Sequence, residues 1–167
     1  TVVTNDQRID IERAAVLALH WQVNVIRPDG FFGGLLAAPV AASGVVDRAA
    51  RFHAAARTAG LPVVFTRFTV PDGEGALVRN TSFLRAVGEA QAAFRPDAPG
   101  AALIDEMLPL AETDRVVDNQ KLSGLAGNDL PEWFSTQGID THIASLANLE
   151  LATAGCRPAA DLLGQLS

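Results

Sequence analysis

Four short segments of the chain carry side chains that could do chemistry. The first is Leu19-His20-Trp21-Gln22. An imidazole can give or take a proton near neutral pH, so His20 is a candidate catalytic residue. Trp21 and Gln22 are candidate substrate contacts beside it. The alternative is that His20 only forms a hydrogen bond where a loop begins.

The second segment is Phe65-Thr66-Arg67, in which the arginine could bind the carboxylate of a ligand. Arg67 could equally form an ion pair with Asp72 or Glu74. No histidine follows in this loop. The sequence therefore predicts no metal site here, and it predicts no cofactor.

The third segment runs from Val117 to Leu130 and is rich in small residues. Asn119 could form a hydrogen bond with a substrate. Lys121 and the backbone N–H groups of this loop could face a ligand at the start of the next helix. The alternative for Lys121 is a solvated surface charge.

The fourth segment runs from Ser145 to Glu150. Asn148 and Glu150 follow a predicted strand end and are candidate site residues, but a catalytic role for Glu150 needs evidence beyond these residues. Helix capping by Asn148, together with the favourable position of a carboxylate in the first turn, explains both residues without catalysis.

The composition excludes several classes of function. The chain has 167 residues, 49% of them hydrophobic and 19% charged, with a net charge of −6. This suits one domain over residues 1–167 and argues against nucleic acid or membrane as a partner. Cys156 is the only cysteine, so an internal disulfide is excluded. The longest apolar run near the N-terminus has six residues and follows acidic ones, unlike a secretory signal, so we expect a cytoplasmic protein.

Alternating strands and helices must position the four segments. Short apolar runs predict strands at 14–19, 61–66, 115–118 and 141–146. Helical periodicity predicts helices at 45–59, 82–93, 101–110, 128–138 and 148–163. The many glycines and prolines of 20–44 predict mainly loop there. This alternation is typical of an α/β fold with a parallel sheet, whose ligands bind at the carboxyl ends of the strands.

The ordered set of motifs resembles the isochorismatase-like hydrolase superfamily, also called the cysteine hydrolases, which includes nicotinamidases and N-carbamoylsarcosine amidases. The resemblance implies a three-layer α/β/α fold with a mainly parallel sheet. That family usually continues beyond the position of Gly164 with a further strand, so the chain is expected to lack this C-terminal strand region. The matching segments are Ala15–Gln22, Gly60–Arg67, Val116–Leu130, Gly138–Thr141 and Ala160–Gly164.

In the family that the chain resembles, an aspartate, a lysine and a cysteine carry out catalysis. The match places His20 at the aspartate position and Asn119 at the lysine position. Two alignments place either Ala152 or Glu150 at the cysteine position. All three positions are therefore substituted, and the covalent chemistry of the family's amidases is not expected.

Cys156 lies four residues past Ala152. We interpret it as a buried thiol. A nucleophilic role is the less favoured alternative, because a reactive cysteine needs a helix N-terminus and a nearby base.

Two functional hypotheses follow. In the first, the protein is an enzyme that acts on a small organic molecule by non-covalent acid–base chemistry, namely hydrolysis, elimination or isomerisation. His20 replaces the aspartate, with Asn119 and Glu150 as the other catalytic residues. In the second, the protein is a non-catalytic ligand-binding or scaffold protein. We expect a homo-oligomer in either case. The predicted substrate contacts are Trp21, Gln22, Arg67, Lys121 and Asn148.

Overall fold

Three parallel strands form the sheet in the computed structural model, which describes residues 10–121 and 123–139 (the described chain). They are β1 Val16–Leu19, β2 Val63–Phe68 and β3 Arg115–Asn119, in the order β1-β2-β3. Helices pack on both faces of this sheet, which confirms the predicted α/β class. The predicted strand at 141–146 and helix at 148–163 lie outside the described residues.

Helices connect the strands as crossover connections require. The described chain contains α1 Val23–Ile26, α2 Gly33–Ser43, α3 Val45–Thr58, α4 Ser82–Glu89 and α5 Leu130–Thr136. Short 3-10 turns lie at Ile11–Arg13, Gln91–Phe94, Pro99–Ala101 and Asp105–Met107. The predicted helices at 45–59, 82–93 and 128–138 are confirmed by α3, α4 and α5.

The two faces of the sheet bury separate apolar clusters. On the first face, Val63 and Phe65 pack with Ala56 of α3, and all three are fully buried. On the second face, Val64 packs with Phe134 of α5. Burying one such side chain contributes about 1.5–3 kcal/mol, and burial on both faces explains why β2 is a continuous apolar run rather than an alternating one.

The prediction that 20–44 is mainly loop is wrong, because α2 continues through Pro39. The leucines and alanines around Pro39 are strong helix formers, which offsets the one backbone hydrogen bond that proline removes. The glycines instead serve packing and termination. A Cβ on Gly33 would lie 2.1 Å from the Pro28 carbonyl oxygen, and Gly44 ends α2 with a φ of +62°.

The predicted helix at 101–110 is also wrong, and only the turn Asp105–Met107 forms. Leu103 pairs with Gln22 in an isolated bridge, and the Ile104 N–H donates to the Trp21 carbonyl at 3.0 Å. These tertiary hydrogen bonds hold the backbone extended. Pro109 further disfavours a helix at the residue before it.

His53 lies in the core of the first face and is 4% exposed. Its ring packs edge-on against Phe65 and Trp21, with centroids 5.3 and 6.0 Å away. Burial lowers the pKa of His53 to about 4. The Arg57 cation acts in the same direction, and Asp114 opposes it.

We therefore expect the free energy of unfolding to fall as the pH drops from 6.5 towards 4. The unfolded chain binds a proton on His53 in this range and the folded chain does not, so stability is fully present above pH 6.5 and is lost in acid. One group with this shift changes the stability by up to about 3 kcal/mol. Urea unfolding of the protein and of His53→Leu at pH 7, 5.5 and 4.5 measures the effect. An equal pH dependence in both proteins would contradict this assignment.

Candidate functional site

The carboxyl ends of the three strands form the edge at which the sequence places the site. The His20 N–H donates to the Thr66 carbonyl at 3.0 Å, which continues the β1–β2 ladder by one residue. His20 then adopts a φ of +57°, in the left-handed region that non-glycine residues seldom occupy. This conformation costs on the order of 1 kcal/mol and turns the chain out of the sheet immediately after β1.

The surroundings of the His20 ring lower its pKa. Its Nδ1 atom is buried and has no hydrogen-bond partner in the described chain. Its ring lies edge-on to Phe68, with centroids 6.5 Å apart. Burial lowers the pKa of His20 from 6.5, and a hydrogen bond with the Gln22 side chain opposes part of this effect. Burial therefore favours the neutral imidazole, which is the form that can accept a proton.

Gln22 connects the turn after β1 to the end of β2 and is 1% exposed. Its Nε2 donates to the carbonyls of Phe68 and Ala101 at 3.0 and 3.2 Å. Its Oε1 accepts from the Phe68 N–H at 2.6 Å. The amide that the sequence suggests for substrate contact is thus engaged by the backbone, where it positions the segment that carries His20.

Trp21 lies on the other side of this turn. Its half-buried side chain packs against the first-face cluster, edge-on to His53. The structure therefore does not bring the Trp21 ring together with the His20 ring, which lies against Phe68.

Arg67 is paired within the sheet. Its Nε donates to Asp118 Oδ1 at 2.8 Å, and the two residues are register neighbours on β2 and β3. The predicted partners Asp72 and Glu74 are wrong, since they pair with Arg95 and Arg79. Both members of the Arg67–Asp118 pair are partly exposed, so the pair contributes at most about 1 kcal/mol. A carboxylate ligand at Arg67 would compete with Asp118.

Asn119 ends β3 and is 3% exposed. Its Nδ2 donates to the carbonyls of Lys121 and Ser123 at 3.0 and 2.9 Å, and its Oδ1 accepts from the Lys121 N–H at 2.9 Å. Asn119 therefore shapes the loop after β3. The exposed Lys121 reaches the loop after β2 instead, with Nζ 3.5 Å from the Ala76 carbonyl.

Gln120 fastens the loop after β2 to the loop after β3. Its Nε2 donates to the Glu74 carbonyl, and its Oε1 accepts from the Ala76 N–H, both at 2.9 Å. Gly75 permits this contact, because a Cβ there would lie 2.6 Å from Gln120 Oε1. The two loops thus enclose the edge of the sheet as one unit.

Two residues at this edge were not singled out by the sequence. Thr66 is fully buried, and its Oγ1 has no hydrogen-bond partner within the described chain. Phe68 lies between His20 and Phe94, and its ring centroid is 5.6 Å from that of Phe94. The sequence signal for Thr66 is a hydroxyl side chain directly after the apolar run Val63 to Phe65.

Two clefts, of about 480 and 310 Å³, lie at the opposite, amino ends of the strands. Both include Gly60, Pro62 and Gln137, and neither contains a residue of the predicted site. Asp114, which lines the larger cleft, is already paired with Arg57. We therefore place the candidate site at the carboxyl edge, where the described chain carries unpartnered polar atoms.

The candidate site residues Asn148 and Glu150, and also Cys156, lie outside the residues that the structure describes. Among residues 10–121 and 123–139, no group of three or more histidine, cysteine, aspartate or glutamate side chains could hold a metal ion. No helix in the same ranges is long and apolar enough to cross a membrane.

The fold is that of an α/β protein with a parallel sheet, and the candidate site lies at the carboxyl ends of its strands. The isochorismatase domain model matches residues 14–145, which is most of the chain. The protein belongs to the isochorismatase family. No curated protein matches the chain at a significant level.

Solved structures agree with this family assignment. A cysteine hydrolase from Pseudomonas syringae pv. phaseolicola 1448A is similar with a TM-score of 0.65 and 22% identity, over 80% of this chain and 59% of that one. An isochorismatase family protein from Desulfovibrio vulgaris gives 0.60 and 18%, over 77% and 63%. The N-carbamoylsarcosine amidase from Thermoplasma acidophilum gives 0.53 and 25%, over 75% and 62%. The chain thus spans about six tenths of the length of these three proteins.

Proposed function

We propose that the protein is an enzyme that acts on a small organic molecule by non-covalent acid–base chemistry. Neutral His20 is the proton acceptor. The observation that supports this proposal is the buried His20 Nδ1, which has no partner in the described chain and belongs to a ring whose pKa is lowered by burial. A base that is neutral at pH 7 and already desolvated is suited to removing a proton from a bound substrate.

The other predicted residues take supporting roles in this proposal. Gln22 and Asn119 position the turn and the loop that frame His20, through the backbone hydrogen bonds described above. Arg67 binds a substrate only by exchanging its Asp118 partner. Glu150 and Asn148, which lie outside the described residues, are proposed to supply the second acid–base group and a substrate contact. Hydrolysis, elimination and isomerisation all include the proton removal assigned to His20. We further propose that the enzyme works as a cytoplasmic homo-oligomer.

The test is a turnover screen of small carboxylic acids and amides with the protein and with His20→Asn. We expect this substitution to lower kcat/KM about 100-fold or more on any substrate found, since general-base catalysis contributes roughly 10²–10⁴-fold. Arg51→Ala, on the exposed side of α3, is the matched control and should retain full activity. Undiminished turnover by His20→Asn would show that His20 is not the base.

The second candidate function is a non-catalytic ligand-binding or scaffold protein. It is favoured by the internal hydrogen bonds of Gln22, Asn119 and Arg67, which leave these polar side chains engaged in holding the fold. This alternative predicts no turnover in the same screen. It also predicts that ligand binding or oligomer formation, measured by calorimetry and light scattering, is unchanged in His20→Asn.

A further inference from the structure

We propose that the Thr66 hydroxyl is a second ligand-contacting group of this site, and that Thr66 and His20 together bind an uncharged hydroxyl group on an aromatic ligand. This inference rests on the function proposed for His20. It gives a role to Thr66, for which the sequence analysis proposed none, and it names a ligand class.

The burial of Thr66 is difficult to explain by packing alone. The residue is 0% exposed, and its Oγ1 has no hydrogen-bond partner in the described chain. A buried hydroxyl without a partner costs stability. Valine has nearly the same shape and carries no such cost, as the neighbouring Val63 and Val64 illustrate. A binding role would account for a hydroxyl at this position.

The Thr66 side chain and the His20 ring lie towards the same face of the sheet. The His20 N–H donates to the Thr66 carbonyl at 3.0 Å, so the two backbones are adjacent. Thr66 and Phe68 share one face of β2, because alternate residues of a strand point the same way. The His20 ring lies against the Phe68 ring. The imidazole therefore lies over the face that carries the Thr66 hydroxyl.

The chemistry of these two groups selects the ligand atom. The unpartnered Nδ1 of His20 can accept or donate one hydrogen bond according to the tautomer of the ring, and the Thr66 hydroxyl can do either. One ligand atom satisfies both if it donates one hydrogen bond and accepts another, as a hydroxyl oxygen does. The Phe68 ring, which lies against His20 and in turn packs against Phe94, favours an aromatic body.

The local charge balance and the loop after β3 add two conditions. The positive charge of Arg67 is matched by Asp118, which favours an uncharged group over a carboxylate.

A Cβ on Gly124 would lie 2.9 Å from Leu19 Cδ2 and 3.5 Å from Thr66 Cγ2, so the backbone at Gly124 closes over this face. A ligand that reaches Oγ1 must displace residues 123–127.

The experiment compares the protein with Thr66→Val, and its probes are benzyl alcohol and toluene, which differ only by the hydroxyl group. Titrations followed by NMR should show benzyl alcohol binding to the unmodified protein and about tenfold more weakly to Thr66→Val, the loss expected for one hydrogen bond. Toluene should bind both proteins equally. The Tm of Thr66→Val should rise by about 2–4 °C, since the uncompensated hydroxyl is gone. Thr113→Val, at an exposed position, is the control and should change neither quantity.

Three outcomes would overturn the inference. The first is a lower Tm for Thr66→Val, which would show that the hydroxyl has a structural partner such as a bound water. The second is equal affinity of both proteins for benzyl alcohol. The third is that benzyl alcohol does not bind to the unmodified protein. The function proposed for His20 fails separately, through undiminished turnover by His20→Asn. Loss of turnover in His20→Asn with unchanged binding by Thr66→Val would reject Thr66 alone.

Discussion

Replacing Gln22 with leucine is expected to lower the free energy of unfolding by about 3–5 kcal/mol. The side chain is fully buried, and its amide serves three backbone groups: the N–H and carbonyl of Phe68 and the carbonyl of Ala101. Leucine fills a similar volume but leaves all three groups without their partner, at a cost of about 1–3 kcal/mol each when buried. The loss is large because the same hydrogen bonds join the turn after β1 to the end of β2.

Urea denaturation at pH 7 measures this effect, with Gln137→Leu as the control. Gln137 is exposed at the end of α5, so its replacement should change the stability by less than about 0.5 kcal/mol. The His20 ring signals should also shift in the Gln22 variant, because that turn positions the ring. A loss below about 1 kcal/mol for Gln22→Leu would contradict the role assigned to this amide.

Replacing Asp114 with asparagine is expected to cost about 2–4 kcal/mol. The Asp114 carboxylate has no exposed surface and accepts from Arg57 Nε and Nη2 at 2.9 and 2.6 Å. It also accepts from the Ala111 N–H at 2.9 Å, which holds the turn before β3. Removing one charge of a buried pair leaves the other uncompensated, and the partial exposure of Arg57 keeps the cost below that of a fully buried pair.

The double variant Arg57→Leu with Asp114→Leu separates the cost of the uncompensated Arg57 charge from the cost of the lost hydrogen bonds. Replacement of both charges by apolar groups should recover part of the stability lost in Asp114→Asn, because no uncompensated charge remains. Asp97→Asn, at an exposed position, is the single-charge control and should be neutral. If Asp114→Asn is as stable as Asp97→Asn, the pair does not hold the turn before β3.

The sheet could be predicted from the sequence because β1, β2 and β3 all lie in or beside short apolar runs. Most of β2 is buried, as such a run predicts. In β3 only Val117 and Asn119 are buried, while Val116 and Asp118 are exposed. The errors arose where tertiary contacts overrode local signals. Pro39 and its neighbouring glycines indicate a loop, yet the surrounding helix formers carry α2 through the proline. At Leu103 and Ile104 the helical periodicity reflects burial, while hydrogen bonds to the Trp21–Gln22 segment hold the backbone extended.

The grouping of the candidate residues at one edge of the sheet could be predicted, but the hydrogen-bond partners of each side chain could not. The rule for the carboxyl ends of parallel strands brings His20, Arg67 and Asn119 to one edge, as the structure shows. Hydrogen-bond partners depend on strand register and turn geometry, which one sequence does not specify. The register places Asp118 beside Arg67, closer than the acidic residues of the following loop that we expected. That the Thr66 hydroxyl has no partner in the described chain likewise depends on the three-dimensional structure.

The central claim is that His20 is a neutral base with a free Nδ1 lone pair. Its most direct test is a pH titration of the ¹⁵N-labelled protein by NMR that observes both ring nitrogens, with His20→Asn to assign the signals. We expect a His20 pKa below 6.5. At pH 7 the proposal requires a single ring proton on Nε2, which leaves the buried Nδ1 free to accept. A ring protonated on both nitrogens at pH 7, or a neutral ring with its proton on Nδ1, would contradict the account.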